Sequence, residues 1–155
     1  MDIQALSKKF GINAERKMDG GFPVFEKNIV GRRVLIVCDE TTRVFAQPVA
    51  DMVGANAAEC GMLVLPSPEP VADEATVQRV AEGGGGYDYL LAVGAGTLND
   101  LCKYAGFLTH KPSGIFATAP SMDGFSSSVT PLIAKGFKIT RPAQPASDVL
   151  MAFEI

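Results

Sequence analysis

The sequence predicts an α/β protein of Rossmann-like type, with a mainly parallel, twisted sheet, helices on both faces and one added β-hairpin. Three observations carry this prediction. Continuous apolar and β-branched runs such as "RVLIVCDE" (33–40) read as strands buried on both faces. Helix-like stretches alternate with these runs, and that alternation requires right-handed crossovers between parallel strands. Finally, "VGAGTLNDLCKYAG" (93–106) reads as a strand, a tight glycine turn and a helix.

Each element can be justified in order. "MDIQALSKKF" has no h-region and reads as a short amphipathic helix, not a signal peptide. "TTRVFAQPVADMV" (41–53) has helical spacing, and Pro48 is expected to kink it or split it in two. "CGMLVLPS" (60–67) is the second strand. "ADEATVQRVAEG" (72–83) is a helix with Asp73 as N-cap and Val77, Val80 and Ala81 on one face. Gly83–Gly86 end that helix and read as a flexible surface link. "YDYLLAVGA" (87–95) is the third strand, followed by the helix "TLNDLCKYAGF" (97–107), in which Leu98, Leu101, Cys102 and Ala105 share a face. "SGIFATAP" (113–120) is a fourth strand leading into a serine-rich turn. "PLIAKGFKITRP" (131–142) reads as a hairpin about Lys135-Gly136, and "DVLMAFEI" (148–155) as a last strand.

Composition bounds the function. The 155 residues make about one domain, able to bury roughly 70% of its unfolded surface. With 47% hydrophobic and 20% charged residues, a packed core is expected. The net charge of −3 is spread without a basic stripe, so neither nucleic acid nor an anionic membrane is an expected partner. No apolar run approaches the ~20 residues of a bilayer span, and a cytoplasmic location is expected. Cys38, Cys60 and Cys102 are odd in number and far apart, which predicts buried, reduced thiols; no C-x₂-C pair suggests a zinc knuckle. His110 is the only histidine, too few for a catalytic zinc site.

Ligands of such sheets bind beyond the carboxyl ends of the strands. Three of those ends carry candidate residues. Gly94 and Gly96 let the backbone turn sharply and approach a ligand, and Thr97 opens a helix whose free N–H groups favour an anion. Asn99 stands where a third fingerprint glycine belongs, and Thr97-x-x-Asp100 equally fits a capping box. Asp39 follows the first strand, where a carboxylate either takes the hydroxyls of an adenosine ribose or caps the helix near Thr41. "TAPSMDGFSSSVTP" (118–131) is small, polar and hydroxyl-rich, with Asp123 as its only charge. A serine nucleophile at Ser126–Ser128 is excluded, because G-x-S-x-G is absent and His110 is the only possible base.

Together, "VGAGTLNDLCKYAG" and "ATAPSMDGFSSSVTPLIAKGFKITRPA" resemble the sn-glycerol-1-phosphate dehydrogenases, within the superfamily of iron-type alcohol dehydrogenases, glycerol dehydrogenase and dehydroquinate synthase. The resemblance is strong from Tyr87 to Ile155 and looser over 31–82. It implies that Gly94, Ala95, Gly96, Thr97 and Leu98 hold the pyrophosphate of NAD or NADP, with Asp100 beside them. Asp39 then contacts the adenosine ribose, Thr118, Ala119, Pro120, Ser121 and Ser127 line the cofactor, and Asp123 contacts a phosphorylated polyol or ketone substrate. The implied reaction is reversible reduction of dihydroxyacetone phosphate to sn-glycerol 1-phosphate, with a divalent metal, zinc or nickel, polarising the carbonyl.

In that family the metal ligands come from a helical C-terminal half. The sequence ends at Ile155 with no matching aspartate or histidines, so residues 1–155 are expected to be the cofactor-binding domain alone, inactive by itself and able to form homo-oligomers through the apolar surface it exposes. A non-catalytic NAD(P)-binding or interaction module is the alternative from another class. A related polyol dehydrogenase or a dehydroquinate-synthase-like lyase shares the glycine turn, but "TAPSMDGFSSS" argues against both. Asp39 repels a 2′-phosphate and favours NAD, while Arg43 nearby offsets it.

Overall fold

The computed structural model describes residues 13–16, 23–66, 70–119 and 124–151. Six strands form one parallel sheet: β1 (Asn13–Arg16), β2 (Arg33–Asp39), β3 (Glu59–Leu65), β4 (Tyr89–Gly94), β5 (Ser113–Ala117) and β8 (Asp148–Met151), in the order β1-β8-β5-β4-β2-β3. The helices are α1 (Pro23–Ile29), α2 (Arg43–Gly54), α3 (Glu74–Gly83) and α4 (Gly96–Thr109). An antiparallel hairpin, β6 (Val129–Ala134) and β7 (Phe137–Pro142), completes the described chain.

Alternation along the central strands explains the layers. Leu35, Val37, Leu90 and Ala92 pack with Val77 and Val80 of α3 and Leu98, Leu101, Cys102 and Ala105 of α4. Val34, Ile36, Cys38, Leu91 and Val93 face the other way, onto Phe25 and Ile29 of α1 and Ala46, Val49 and Val53 of α2. The predicted Rossmann-like class, with helices on both faces, is therefore observed. From β2 the chain runs through α2 to the edge strand β3, then back through α3 to β4 on the opposite side of β2. The order of connection thus reverses between β2 and β4, and the crevice of such a sheet opens at that point.

The predicted hairpin is also present. Lys135 (φ 51°) and Gly136 (φ 80°) both take the left-handed conformation that a two-residue turn of the I′ kind needs. Leu132 of β6 is buried in the α3/α4 core, and Ile133 N–H donates to Ala72 O at 2.8 Å. Asp73 caps α3 as expected, accepting from Thr76 N–H at 2.8 Å.

Some expectations need correction. α2 runs unbroken from Arg43 to Gly54 with Pro48 inside it. The proline is exposed, and so is Val44, whose carbonyl loses the i→i−4 partner; water can serve that oxygen, so the helix need not break. Gly83–Gly86 is no flexible link. Gly83 closes α3, Gly84 N–H bonds Val80 O at 2.9 Å, Gly85 N–H bonds Glu82 O at 3.0 Å, and the Lys111 ammonium donates to Gly84 O. Cys38 and Cys102 are buried, but Cys60 on the edge strand β3 is only half-buried. Burial pushes the Cys38 thiol up to about 11, with the Asp39 carboxylate adding to it. The expected N-terminal helix (1–10) and the end of the last strand (152–155) lie outside the described residues. Strand β1 and helix α1 were not anticipated.

At the amino ends of the strands a buried polar cluster ties the layers. Tyr89 Oη donates to Asp148 Oδ2 at 2.5 Å, and Asn28 Nδ2 donates to Asp148 Oδ1 at 2.8 Å. Asp148 is 1% exposed, so these bonds replace the water it has lost. Burial, and then the neighbouring Asp148 charge, hold the Tyr89 phenol protonated far above its ordinary range.

Two stability predictions follow from this packing. Pro48→Ala restores one helix bond and should raise unfolding free energy by about 1–2 kcal/mol in chemical denaturation, with part of the helix gain offset in the unfolded chain. Tyr89→Phe leaves a buried carboxylate oxygen without its phenol donor and should cost about 1–3 kcal/mol in the same assay.

Candidate functional site

The carboxyl edge of β2, β4 and β5 brings the sequence-predicted residues together. β2 and β4 pair through Val37 and Ala92, and two residues further on stand Asp39 and Gly94. Asp39 is 7% exposed. Its Oδ1 accepts from Thr42 N–H at 2.7 Å and from Thr42 Oγ1 at 3.0 Å, while Asp39 N–H donates to Thr42 Oγ1 at 3.1 Å. Asp39 therefore builds the turn that enters α2, and Thr42 occupies the N-cap position. Both bonds from Thr42 fall on Oδ1. The cap role and a ligand role are compatible in one carboxylate.

The glycine turn is built against this corner. Gly94 has φ +155°, a conformation that residues with a Cβ rarely adopt. A Cβ there would overlap Leu98 Cδ1 and come within 3.2 Å of Thr42 Cγ2. At Gly96 a Cβ would meet nothing within 4 Å, so the backbone there is open to a ligand. Ala95 occupies the N-cap of α4 with no side-chain cap bond. Among the described residues, no side chain caps the first N–H groups of this 14-residue helix, and its dipole favours an anion there. These features fit a dinucleotide diphosphate, and Asp39 on the adjacent strand fits a ribose. Leu98 is buried, so only its backbone can face a ligand.

The capping-box reading of Thr97 and Asp100 is overturned. Thr97 is already the second residue of α4, so its hydroxyl is not at the cap position. Asp100 instead turns towards the segment after β5. Its half-buried carboxyl is raised by burial, against the opposing influence of Thr130, Lys103 and Lys138. Thr130 stands near it, and among the described residues its buried Oγ1 makes no hydrogen bond of normal geometry.

Thr118 N–H donates to Gly94 O at 3.1 Å, which joins the start of the hydroxyl-rich segment to the glycine turn. Thr118 and Ala119 are half-buried. Pro120, Ser121 and Asp123 lie outside the described residues. A short 3₁₀ turn, Gly124–Ser126, follows, with Phe125 in the core. Ser127 Oγ donates to Val129 O at 3.0 Å and accepts from Val129 N–H at 3.2 Å, so its hydroxyl closes a local turn. Sequence reasoning missed Lys103. It is 1% exposed, and its ammonium donates to Gly124 O at 2.8 Å and to Val129 O at 3.2 Å. Burial lowers its pKa, and Asp100 acts against that. The only hint in the sequence was a lysine three residues beyond Asp100 on a largely apolar helix.

His110 caps the C-terminus of α4 in the left-handed conformation and is exposed. Among the described residues, no three His, Cys, Asp or Glu side chains come together in a way that could hold a metal ion. Among the same residues, no helix is long and apolar enough to cross a membrane.

Several known proteins are similar to this chain. Residues 18–152 match the family described as iron-containing alcohol dehydrogenase. A glycerol-1-phosphate dehydrogenase [NAD(P)+] of Bacillus velezensis is 36% identical over 111 residues, covering 68% of this chain and 28% of that protein. One from Geobacillus stearothermophilus is 43% identical over 75 residues, covering 48% of this chain and 19% of that protein. The chain thus spans less than a third of the length of these relatives. The crystal structure of an iron-containing alcohol dehydrogenase from Corynebacterium glutamicum superposes with a TM-score of 0.72 at 17% identity, covering 91% of this chain and 40% of that one; this likeness concerns the fold.

The turn yields a prediction of its own. Gly94→Ala combines a strained φ with a clash against the packed Leu98 side chain. It should lower stability by about 2–4 kcal/mol in denaturant titration.

Proposed function

This chain belongs to the iron-containing alcohol dehydrogenase family, and we propose that it forms the nucleotide-holding α/β part of an NAD(P)-dependent sn-glycerol-1-phosphate dehydrogenase. The observation that carries this reading is the Gly94 turn at the switch point, with an open Gly96, an uncapped α4 N-terminus and Asp39 on the adjacent strand. The named relatives supply glycerol 1-phosphate as the substrate class, and the sequence resemblance implies dihydroxyacetone phosphate as its oxidised counterpart.

When bound, the nicotinamide supplies or accepts the hydride. The chain's own residues bind and orient. Backbone N–H groups from Ala95 to Leu98 and the α4 dipole take the diphosphate, where charge-assisted bonds to N–H are strong. Asp39 Oδ2 accepts from the ribose hydroxyls while Oδ1 keeps the turn. Thr118 and Ala119 line the path from the diphosphate towards β5, with Pro120, Ser121 and Ser127 assigned to the same lining and Asp123 to the polyol. The zinc or nickel ion that the resemblance implies has no ligand set among the described residues.

The test is a calorimetric titration of the folded chain with NADH and NADPH. Saturable binding, tighter for NADH, is expected; a folded chain that binds neither overturns the reading of a nucleotide site in this chain. Asp39→Asn is the informative variant, because the amide oxygen can still accept from Thr42 while the charge is lost. It should weaken NADH by roughly 1–3 kcal/mol and NADPH by less, since the 2′-phosphate no longer meets an anion. Unchanged affinity for both would leave Asp39 as a turn former only.

A further inference from the structure

Asn99, Asp100 and Lys103 lie on one side of α4, at i, i+1 and i+4. A Cβ placed on Gly124 would stand 3.9 Å from Asn99 Nδ2 and 4.0 Å from Asp100 Oδ1, so Gly124 lies over the first turn of that helix. Lys103, one turn further along, donates to the carbonyls of Gly124 and Val129, which bracket the segment after β5. Further bonds to this segment come from beyond the hairpin: Ala146 N–H to Phe125 O at 2.9 Å and Ala143 N–H to Ser128 O at 2.8 Å. Those bonds tie it to the approach to β8. Lys103 ties it to the helix that starts at the glycine turn.

The strand order β2, β4, β5 sets Asp39, Gly94 and Thr118 in a row along the carboxyl edge. With the adenosine ribose at Asp39 and the diphosphate at Gly94–Leu98, the second nucleoside of a dinucleotide runs on to the β5 side. Gly124–Val129 lies on that side. Resting on the nucleotide reading above, we infer that Lys103 is a positioning residue that fixes the Gly124–Val129 segment over α4 and so shapes the surface receiving the nicotinamide half. Its ammonium is spent on two carbonyls and touches no nucleotide atom.

ADP separates this role from general stability, because it carries the adenosine and diphosphate but no second nucleoside. Calorimetric titrations of the wild-type chain with NADH and ADP come first; if neither binds, the nucleotide reading falls and this inference falls with it. In Lys103→Met the loss of two charge-assisted bonds should raise the NADH dissociation constant roughly tenfold or more while ADP stays within about twofold. Lys103→Arg restores charge and donors and should recover most of the NADH affinity. If Lys103→Met does not fold, Lys103→Gln, which keeps a donor, carries the same comparison. Equal losses for both ligands, unchanged NADH affinity, or failure of both neutral variants to fold would each show a merely structural lysine and overturn the inference.

Discussion

Everything at the carboxyl edge depends on the way the chain leaves β4. At Gly94 the space of a side chain is already taken by Leu98 and approached by Thr42, and φ is +155°. Only glycine accommodates both conditions without strain. This one absence of a Cβ lets α4 start immediately, seats its first turn beside the Asp39–Thr42 corner, and packs Leu98 into the core. The open backbone at Gly96 and the lack of a side-chain cap follow from the same short turn. Anion affinity and close packing therefore come from one local geometry.

The opposite edge has its own constraint, of a different kind. Asp148, Tyr89 and Asn28 join β8, β4 and α1 through a buried carboxylate. Gly114, between β4 and β8 on the intervening strand, leaves room for the Tyr89 phenol, which a Cβ there would strike. Such a cluster is directional, and it specifies which strands lie side by side where apolar packing alone is indifferent. One edge of the sheet is thus held by polar specificity and the other left with backbone groups available.

How much of this was legible in the sequence depends on the signal each part carries. β2 and β4 announce themselves because both faces are buried and the apolar run is continuous. The hairpin does so because Lys135-Gly136 is a turn dipeptide between apolar runs. β1, "NAER", has no apolar pattern and exists by pairing with β8. α1 is seven residues, with Phe25 and Ile29 in the core, too short for a period to show. The glycine run after α3 misled because composition speaks of freedom, while the bonds that remove it come from Val80, Glu82 and a lysine 27 residues away. Asp39 and the glycine turn were legible as candidates, though not the use of Oδ1 for the turn. The capping box failed by register, since α4 begins at Gly96 and not after Thr97. Lys103 was invisible, because nothing local marks a lysine that points inwards.

That buried lysine also bears on the balance between stability and specificity. Removing an ammonium from water costs several kcal/mol, and two neutral carbonyls with a half-buried Asp100 offset it only in part. A methionine would fill much the same volume without that penalty. Packing alone gives no reason for a charge at this position. What the charge adds is direction: the ammonium selects the one arrangement in which Gly124 O and Val129 O both face α4. Since the helix is itself placed by Gly94, the segment after β5 inherits its position from the glycine turn. The two halves of the edge are thereby tied to one helix through Lys103.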